Sequence, residues 1–488
     1  MSPKDSVALF HFDNSYARLP ERFYQRVAPT AVSAPALIRL NAPLARELGL
    51  DPVRLASPEA AAIFAGNEIV PGSEPLAMAY AGHQFGNFVP QLGDGRAILI
   101  GEVLDKHGTR RDIHLKGAGQ TRFSRRGDGR AALGPVLREY IVSEALAAFG
   151  IPTTRTLAAV TTGEQVFRDR PLPGAVLTRV AASHMRVGTF EYFAARQDTD
   201  GLRTLADYAI ARHYPHCRDA ANPYRAFFDA VIDAQAGLIA QWLLVGFIHG
   251  VMNTDNMTIS GETIDFGPCA FMDFYNPRQV YSSIDARGRY AYANQPTIGH
   301  WNLVCLAEAL VPLLAENEAA AIAEAEQAMA AFGPKFEAAY RTGLTRKLGL
   351  DAEEEDVALA LELLRLMADN GADFTLSFRS LGEAAADPAK EPGVRGLFKD
   401  PAALDAWLPL WRGRLRNAEG LRAVNPAFIP RNHLVEEALA AAVDQADFQP
   451  FETLLEVIAR PFDDQPGHEV YGQPPRPEQV VHQTFCGT

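Results

Sequence analysis

Residues 247–267, reading FIHGVMNTDNMTISGETIDFG, constrain this chain more than any other stretch. An apolar helical run over 237–248 delivers the chain to His249-Gly250, where the pattern breaks. Asn253, Asp255 and Asn256 follow, then a Ser-Gly turn, then Asp265-Phe266-Gly267. An Asp-Asn pair with a second Asp on a short hairpin offers hard oxygen ligands, which suit magnesium bound beside phosphates. The same residues could simply make side-chain turns in a polar loop. This stretch alone leaves both readings open, and the rest of the chain decides between them.

Upstream, the segment from Tyr80 reaches Gly93-Asp94-Gly95-Arg96 and then an apolar run of strand length over 97–103. Lys106-His107-Gly108 supplies a turn, and residues 112–116 form a second short strand ending in Lys116. Glycines before such a hairpin let backbone N–H groups approach phosphates, because no Cβ intervenes. Residues 117–133 hold Arg122, Arg125, Arg126 and Arg130 among glycines, a good anion-binding composition that could also be a solvated loop. A helix is expected from about Pro135 to Gly150, with Glu139 placed to pair with Lys116. Strands are expected over 153–166, broken by a Thr-Gly-Glu turn, and over 174–181. Arg179 and Arg186 stand seven residues apart around a Ser-His loop. Helices are expected over 202–214, 224–248, 302–314, 316–332 and 353–370, with further helices before a Pro-rich tail at 461–477. Residues 1–75 read as loops and short helices (43–50, 57–65) capping the main body.

Composition excludes several classes. The net charge of −13 argues against a general nucleic-acid binder, which needs a surplus of Lys and Arg. The longest apolar run falls well short of the roughly 20 residues that span a bilayer, so no membrane partner is expected. The N-terminus carries early Asp residues and lacks an apolar signal region, so a cytoplasmic protein is expected. Four scattered cysteines are too few for a disulfide framework or a zinc site.

Gly loop, hairpin, Lys116, Glu139 helix, Asp-Asn loop and Asp265-Phe266-Gly267 stand in the order of parts of a protein kinase. More narrowly, the sequence closely resembles the SelO (selenoprotein O) family of protein-kinase-like adenylyltransferases. The blocks YAGHQFGNFVPQLGDGRA, HLKGAGQTRFSRRGDGRAAL, HGVMNTDNM, DFGPCAFMD and PFDDQPGHEVYGQPP carry the resemblance, which extends over essentially the whole chain. It implies an α+β, protein-kinase-like bilobal fold with a small β-rich N-lobe, a helical C-lobe and a helical C-terminal extension. The corresponding divisions are an N-terminal extension at 1–75, an N-lobe at 76–190, a C-lobe at 191–300 and a helical region at 301–488. The implied activity is transfer of AMP from ATP to Ser, Thr or Tyr hydroxyls of proteins with release of pyrophosphate, the ATP lying in a flipped pose. Carried across by position, Gly93, Gly95, Arg96, Lys116, Asp128, Gly129, Arg179, Arg186 and Asp265 would contact the nucleotide, and Glu139 would hold Lys116. Asp255 would be the catalytic base, with Asn256 and Asp265 holding magnesium, or manganese, which accepts the same ligands.

The residues support part of this independently. A kinase catalytic loop has the form H-R-D-x-x-x-x-N. Aligned on Asn256, His249 falls on the His, but Val251 falls on the catalytic Asp. Such a chain is either inactive, a nucleotide-binding pseudokinase scaffold, or built differently. If it is built differently, Asp255 is the one carboxylate of residues 249–256 able to take a hydroxyl proton. Phosphoryl transfer and uridylyl transfer with manganese are further alternatives for the same site. Cys269 lies two residues past Gly267, and Cys486 is third from the C-terminus, where some members of the family carry selenocysteine. Their placement motivates a reversible bridge; the alternative is two unrelated thiols. The oligomeric state and the identity of the protein substrates are not written in the sequence.

Overall fold

The computed structural model describes residues 9–485. Its strands are β1 (Tyr24–Arg26), β2 (Ala36–Leu40), β3 (Leu76–Met78), β4 (Gly82–Gln84), β5 (Asn87–Val89), β6 (Ala97–Leu104), β7 (Arg110–Lys116), β8 (Ala131–Ala132), β9 (Arg155–Phe167), β10 (Pro171–Ala181), β11 (Phe247–Ile248) and β12 (Ala270–Phe271). Eight strands make one sheet in the order β1-β3-β6-β7-β10-β9-β2, with β8 added against β10, and every pairing is antiparallel. Helices dominate the rest, so the chain is of the α+β class.

Strand alternation sorts this sheet into an oily face and a charged one. Ile113 and Leu115 of β7, with Val176 and Val180 of β10, pack against the short helices Ala42–Glu47 and Pro58–Ala65. Asp112, His114 and Lys116 point the other way, as does Arg179, which pairs across the register with His114. Helix Leu133–Ala148 covers part of this second face and carries Glu139 to it. Below the sheet, the largest core gathers around helix Pro223–Leu244, whose Phe227, Phe228, Val231, Ile232 and Ile239 are all fully buried.

Three expectations are corrected. Residues 24–26 and 36–40 are not merely loops and helices; they form β1 and β2, which close the two edges of the sheet. Both are short and flanked by proline, so no alternating pattern was long enough to read. The helix expected to reach residue 248 stops at Leu244 because Gly246 adopts a left-handed conformation (φ 73°), and Phe247–Ile248 become β11. The Thr-Gly-Glu segment at 162–164 does not break its strand. It is a bulge in a continuous β9, with Gly163 at φ 72°, where any Cβ would lie 2.5 Å from that of Ala34. Two helices, Pro223–Leu244 and Tyr292–Leu314, are long and apolar enough to cross a bilayer by composition, which the shorter run read from sequence did not show. Each has 61% of its apolar window buried inside the fold, as core helices do.

Candidate active site

The charged sheet face, the loop after β10 and the stretch 249–267 enclose a cavity of about 820 Å³. Gly93, Gly95, Arg96, Lys116, Asp128, Gly129, Arg179, Arg186, Asp255, Asn256 and Asp265 all line it. Residues as far apart in sequence as 93 and 265 thus meet at one site.

At its closed end lies a network of buried charges. Lys116 Nζ is 2.5 Å from Glu139 Oε2. Arg179 donates to both oxygens of Glu139 and, from Nη2 at 2.6 Å, to Asp265 Oδ1. Arg186 stands 3.6 Å from both Asp265 Oδ2 and Asp94 Oδ1, with its guanidinium 4.3 Å from the centre of the Tyr80 ring. Burial pushes the Glu139 carboxyl up, but Arg179 and Lys116 outweigh it and hold the group at about 2. Burial likewise opposes ionisation of Asp265, yet Arg179, Arg186 and Lys116 carry it well below the usual carboxylate range. Nε and Nη1 of Arg186 are buried and have no hydrogen-bond partner among the described residues. Unmet guanidinium donors facing a cavity are what a phosphate oxygen satisfies.

The opposite wall is the stretch from His249 to Asp265. His249 Nε2 donates to Ile264 O at 2.9 Å while Nδ1 faces the amide of Val251, so this imidazole braces the loop. Asn256 Nδ2 donates to Val251 O at 3.0 Å, which leaves Oδ1 as the amide's unused acceptor. Asp265 is held at φ 62°, unusual for a non-glycine residue. Asp255 is buried, and burial raises its carboxyl to about 6. Its Oδ2 accepts from Gln84 Nε2 at 3.3 Å, and its Oδ1 is buried with no hydrogen-bond partner among the described residues.

The roof is the Gly loop. Gly93 has φ 76°, and a Cβ there would lie 2.3 Å from the Phe123 ring. Thr121 Oγ1 donates to Asp94 O at 2.6 Å, and Ser124 Oγ donates to Gly95 O, so the Arg-rich loop is strapped to the Gly loop. Asp128 reaches the cavity wall, but both its oxygens are taken by Arg168, at 2.9 and 3.2 Å.

Several residues at the site went unread. Asp94 lies between the two expected glycines, which was a usable signal. Tyr80 and Gln84 begin the segment that leads into the Gly loop, where nothing in their spacing marks a role at the site, and Glu191, which reaches Thr254 and His83, stands in no motif. Cys269 is buried as a free thiol; Cys486 lies outside the described residues, and with it the expected pair.

A family model described as "Protein adenylyltransferase SelO" matches residues 7–459. Curated relatives named "Protein nucleotidyltransferase YdiU" are similar over nearly their whole length. One from Methylorubrum extorquens is 64% identical across 99% of this chain and 100% of its own. That of Bradyrhizobium sp. is 62% identical over 98% and 99%, and that of Rhizobium etli 60% over 99% and 98%. With its glycine roof, buried cation network and Asp-Asn wall on one cavity, this chain belongs to the SelO family and is a nucleotidyltransferase.

Proposed function

We propose that the protein transfers AMP from ATP to Ser, Thr or Tyr hydroxyls of other proteins, releasing pyrophosphate. The observation that carries this is Asp255: a buried carboxylate with one unpartnered oxygen, on a cavity whose closed end holds Lys116, Arg179 and Arg186. Val251 lines the same cavity where a kinase has its catalytic Asp, so Asp255 takes the acceptor proton from a different place in the loop. The order of Gly roof, Lys116 strand, Glu139 helix, Asn256 and Asp265 supports a protein-kinase-like bilobal frame, with 76–190 as the small lobe, 191–300 as the large one and 301–488 as a helical extension.

Asn256 and Asp265 offer a hard oxygen donor set that fits magnesium, or manganese, and the free Oδ1 of Asn256 is the acceptor such an ion needs. When bound, the ion neutralises phosphate charge. The chain's own residues do the rest. Lys116, Arg179 and Arg186 screen the triphosphate, and Glu139 fixes the first two of these cations. Asp255 removes the hydroxyl proton as oxygen attacks the α-phosphorus and pyrophosphate leaves.

ATP labelled at the α- or the γ-phosphate, offered with magnesium, tests the reading. Label retained on protein from the α position supports AMP transfer, and retention from the γ position alone would refute it. UTP labelled at the α position, run beside it with manganese, separates adenylyl from uridylyl transfer. The family's description as adenylyltransferases favours the former.

We also propose that Cys269 and Cys486 form a reversible bridge. Thr484, two residues before Cys486, donates from Oγ1 to Pro268 O at 2.6 Å, which brings the end of the described chain beside Cys269. Burial pushes the Cys269 thiol up to about 12, so Cys269 is a poor source of thiolate while it stays buried. Non-reducing peptide mapping after treatment with glutathione disulfide should yield the Cys269–Cys486 peptide; both thiols free would end the proposal.

A further inference from the structure

We propose that Gln84 is the positioning residue for the Asp255 base: its amide holds Oδ2 and leaves Oδ1 as the oxygen that receives the acceptor's proton. The inference rests on the reading of Asp255 given above and goes further, to the atom and to the element that aims it. Gln84 ends β4, and the β4–β5 hairpin reaches from the sheet side of the cavity to three consecutive residues of the catalytic loop. Phe85 N donates to Asn253 Oδ1 at 3.0 Å, His83 N donates to Thr254 Oγ1 at 2.7 Å, and Gln84 Nε2 donates to Asp255 Oδ2 at 3.3 Å. An ionised carboxylate only accepts, so the amide face turned to it must be the NH2.

Contacts on either side leave the hairpin little freedom. Gly82 lies so close that a Cβ would sit 2.6 Å from Asp255 Oδ1. His83 Nδ1 is 2.5 Å from Glu191 Oε1, and Thr254 Oγ1 donates to Glu191 Oε2, so one buried carboxylate ties the hairpin to the loop. That 2.5 Å is the spacing of a hydrogen bond. His83, Glu191 and Thr254 thus brace the hairpin against the loop. Tyr290 OH closes the far side by donating to Asn253 Oδ1 at 2.6 Å. Of the two oxygens of Asp255, Oδ1 is the one with no hydrogen-bond partner among the described residues. An acceptor hydroxyl entering the cavity would complete its hydrogen bonding and lose its proton there.

The test compares Gln84→Leu, Gln84→Glu and Gln84→Lys in the full chain, with Asp255→Ala in parallel, following kcat, the KM and Kd for ATP, and Tm. Leu and Glu remove the donor, so kcat should fall roughly 10- to 100-fold while ATP Kd and Tm stay at wild-type values. Lys returns an N–H donor and should recover kcat to within a few-fold. Asp255→Ala should be inactive. Wild-type kcat in Gln84→Leu and Gln84→Glu beside an inactive Asp255→Ala would overturn the positioning role alone. Loss of Tm in step with kcat, with no recovery by Lys, would also overturn it by making the hairpin merely structural. Full activity in Asp255→Ala would overturn both this inference and the reading beneath it.

Discussion

At the scale of single residues, Asp255 is held against its own stability. Burial raises its carboxyl to about 6, and the attraction of Arg186 only partly offsets this. In the unfolded chain an Asp titrates near 3.9. Between those values the folded state keeps a proton that the unfolded state has released. The contribution to stability is therefore fully present below about 3.9 and lost as pH rises through about 6. At neutral pH the ionised group destabilises the fold by about 3 kcal/mol at most. Asp255→Asn keeps the shape and the acceptor for Gln84, so it should be catalytically dead. In EDTA at pH 7.5 it should nonetheless be more stable than wild type by about 1–3 kcal/mol, read by urea unfolding. The difference should vanish below pH 4. A variant no more stable than wild type at pH 7.5 would mean that Asp255 carries no such burden. Transfer activity follows the opposite sign, being lost as pH falls and the base is protonated, at or below pH 6 once a nearby cation draws the titration down.

Elements repeat the pattern of local rule and long-range exception. The Gly loop can pass under Phe123 because Gly93 lacks a Cβ and tolerates φ 76°. Gly93→Ala should cost about 1–2 kcal/mol in backbone strain alone and drive the Phe123 strap away from the roof. The ATP KM should then rise by roughly tenfold, and an unchanged ATP KM would show that the roof does not touch the nucleotide. The β6–β7 hairpin and helix Leu133–Ala148 were legible because their patterns are local: an apolar run of strand length, a Gly turn, a helix with a Gly stop. The hairpin of β4 and β5 was not. It is three residues a side, and what holds it are hydrogen bonds to Asn253, Thr254 and Asp255, some 170 positions later. No window of sequence contains both halves of that structure. The early stop of helix Pro223–Leu244 has a similar origin, since a Cβ on Gly246 would meet the Phe374 ring at 3.0 Å.

Across the whole molecule, the C-terminal helices were expected, but where they dock was not, since amphipathic spacing marks an apolar face without naming its partner. Helices Asn432–Gln445 and Gln449–Ile458 pack on the outer side of the Glu139 helix, sharing one core with Leu137, Ile141, Ala159 and Leu177. Phe451 is fully buried there, its ring 5.6 Å from that of Tyr140, the residue after Glu139. Two ion pairs flank the contact: Arg138 with Glu436 at 2.5 Å, and Arg39 of β2 with Glu452. The far end of the chain is thus the backing of the helix that aims Glu139 at Lys116 and Arg179. Phe451→Ala would leave a cavity against Tyr140 and should destabilise the protein by about 3–5 kcal/mol. The effect should also reach the active site, far earlier in sequence, because a helix no longer braced lets Glu139 drift and frees two buried cations to repel each other. ATP affinity should therefore drop in Phe451→Ala. In Phe332→Ala, which truncates an equally buried ring in the core around helix Pro223–Leu244, stability should fall comparably with ATP affinity retained. Calorimetric titration of ATP into each variant, well below its Tm, reads the difference, and equal affinity in the two would refute the brace.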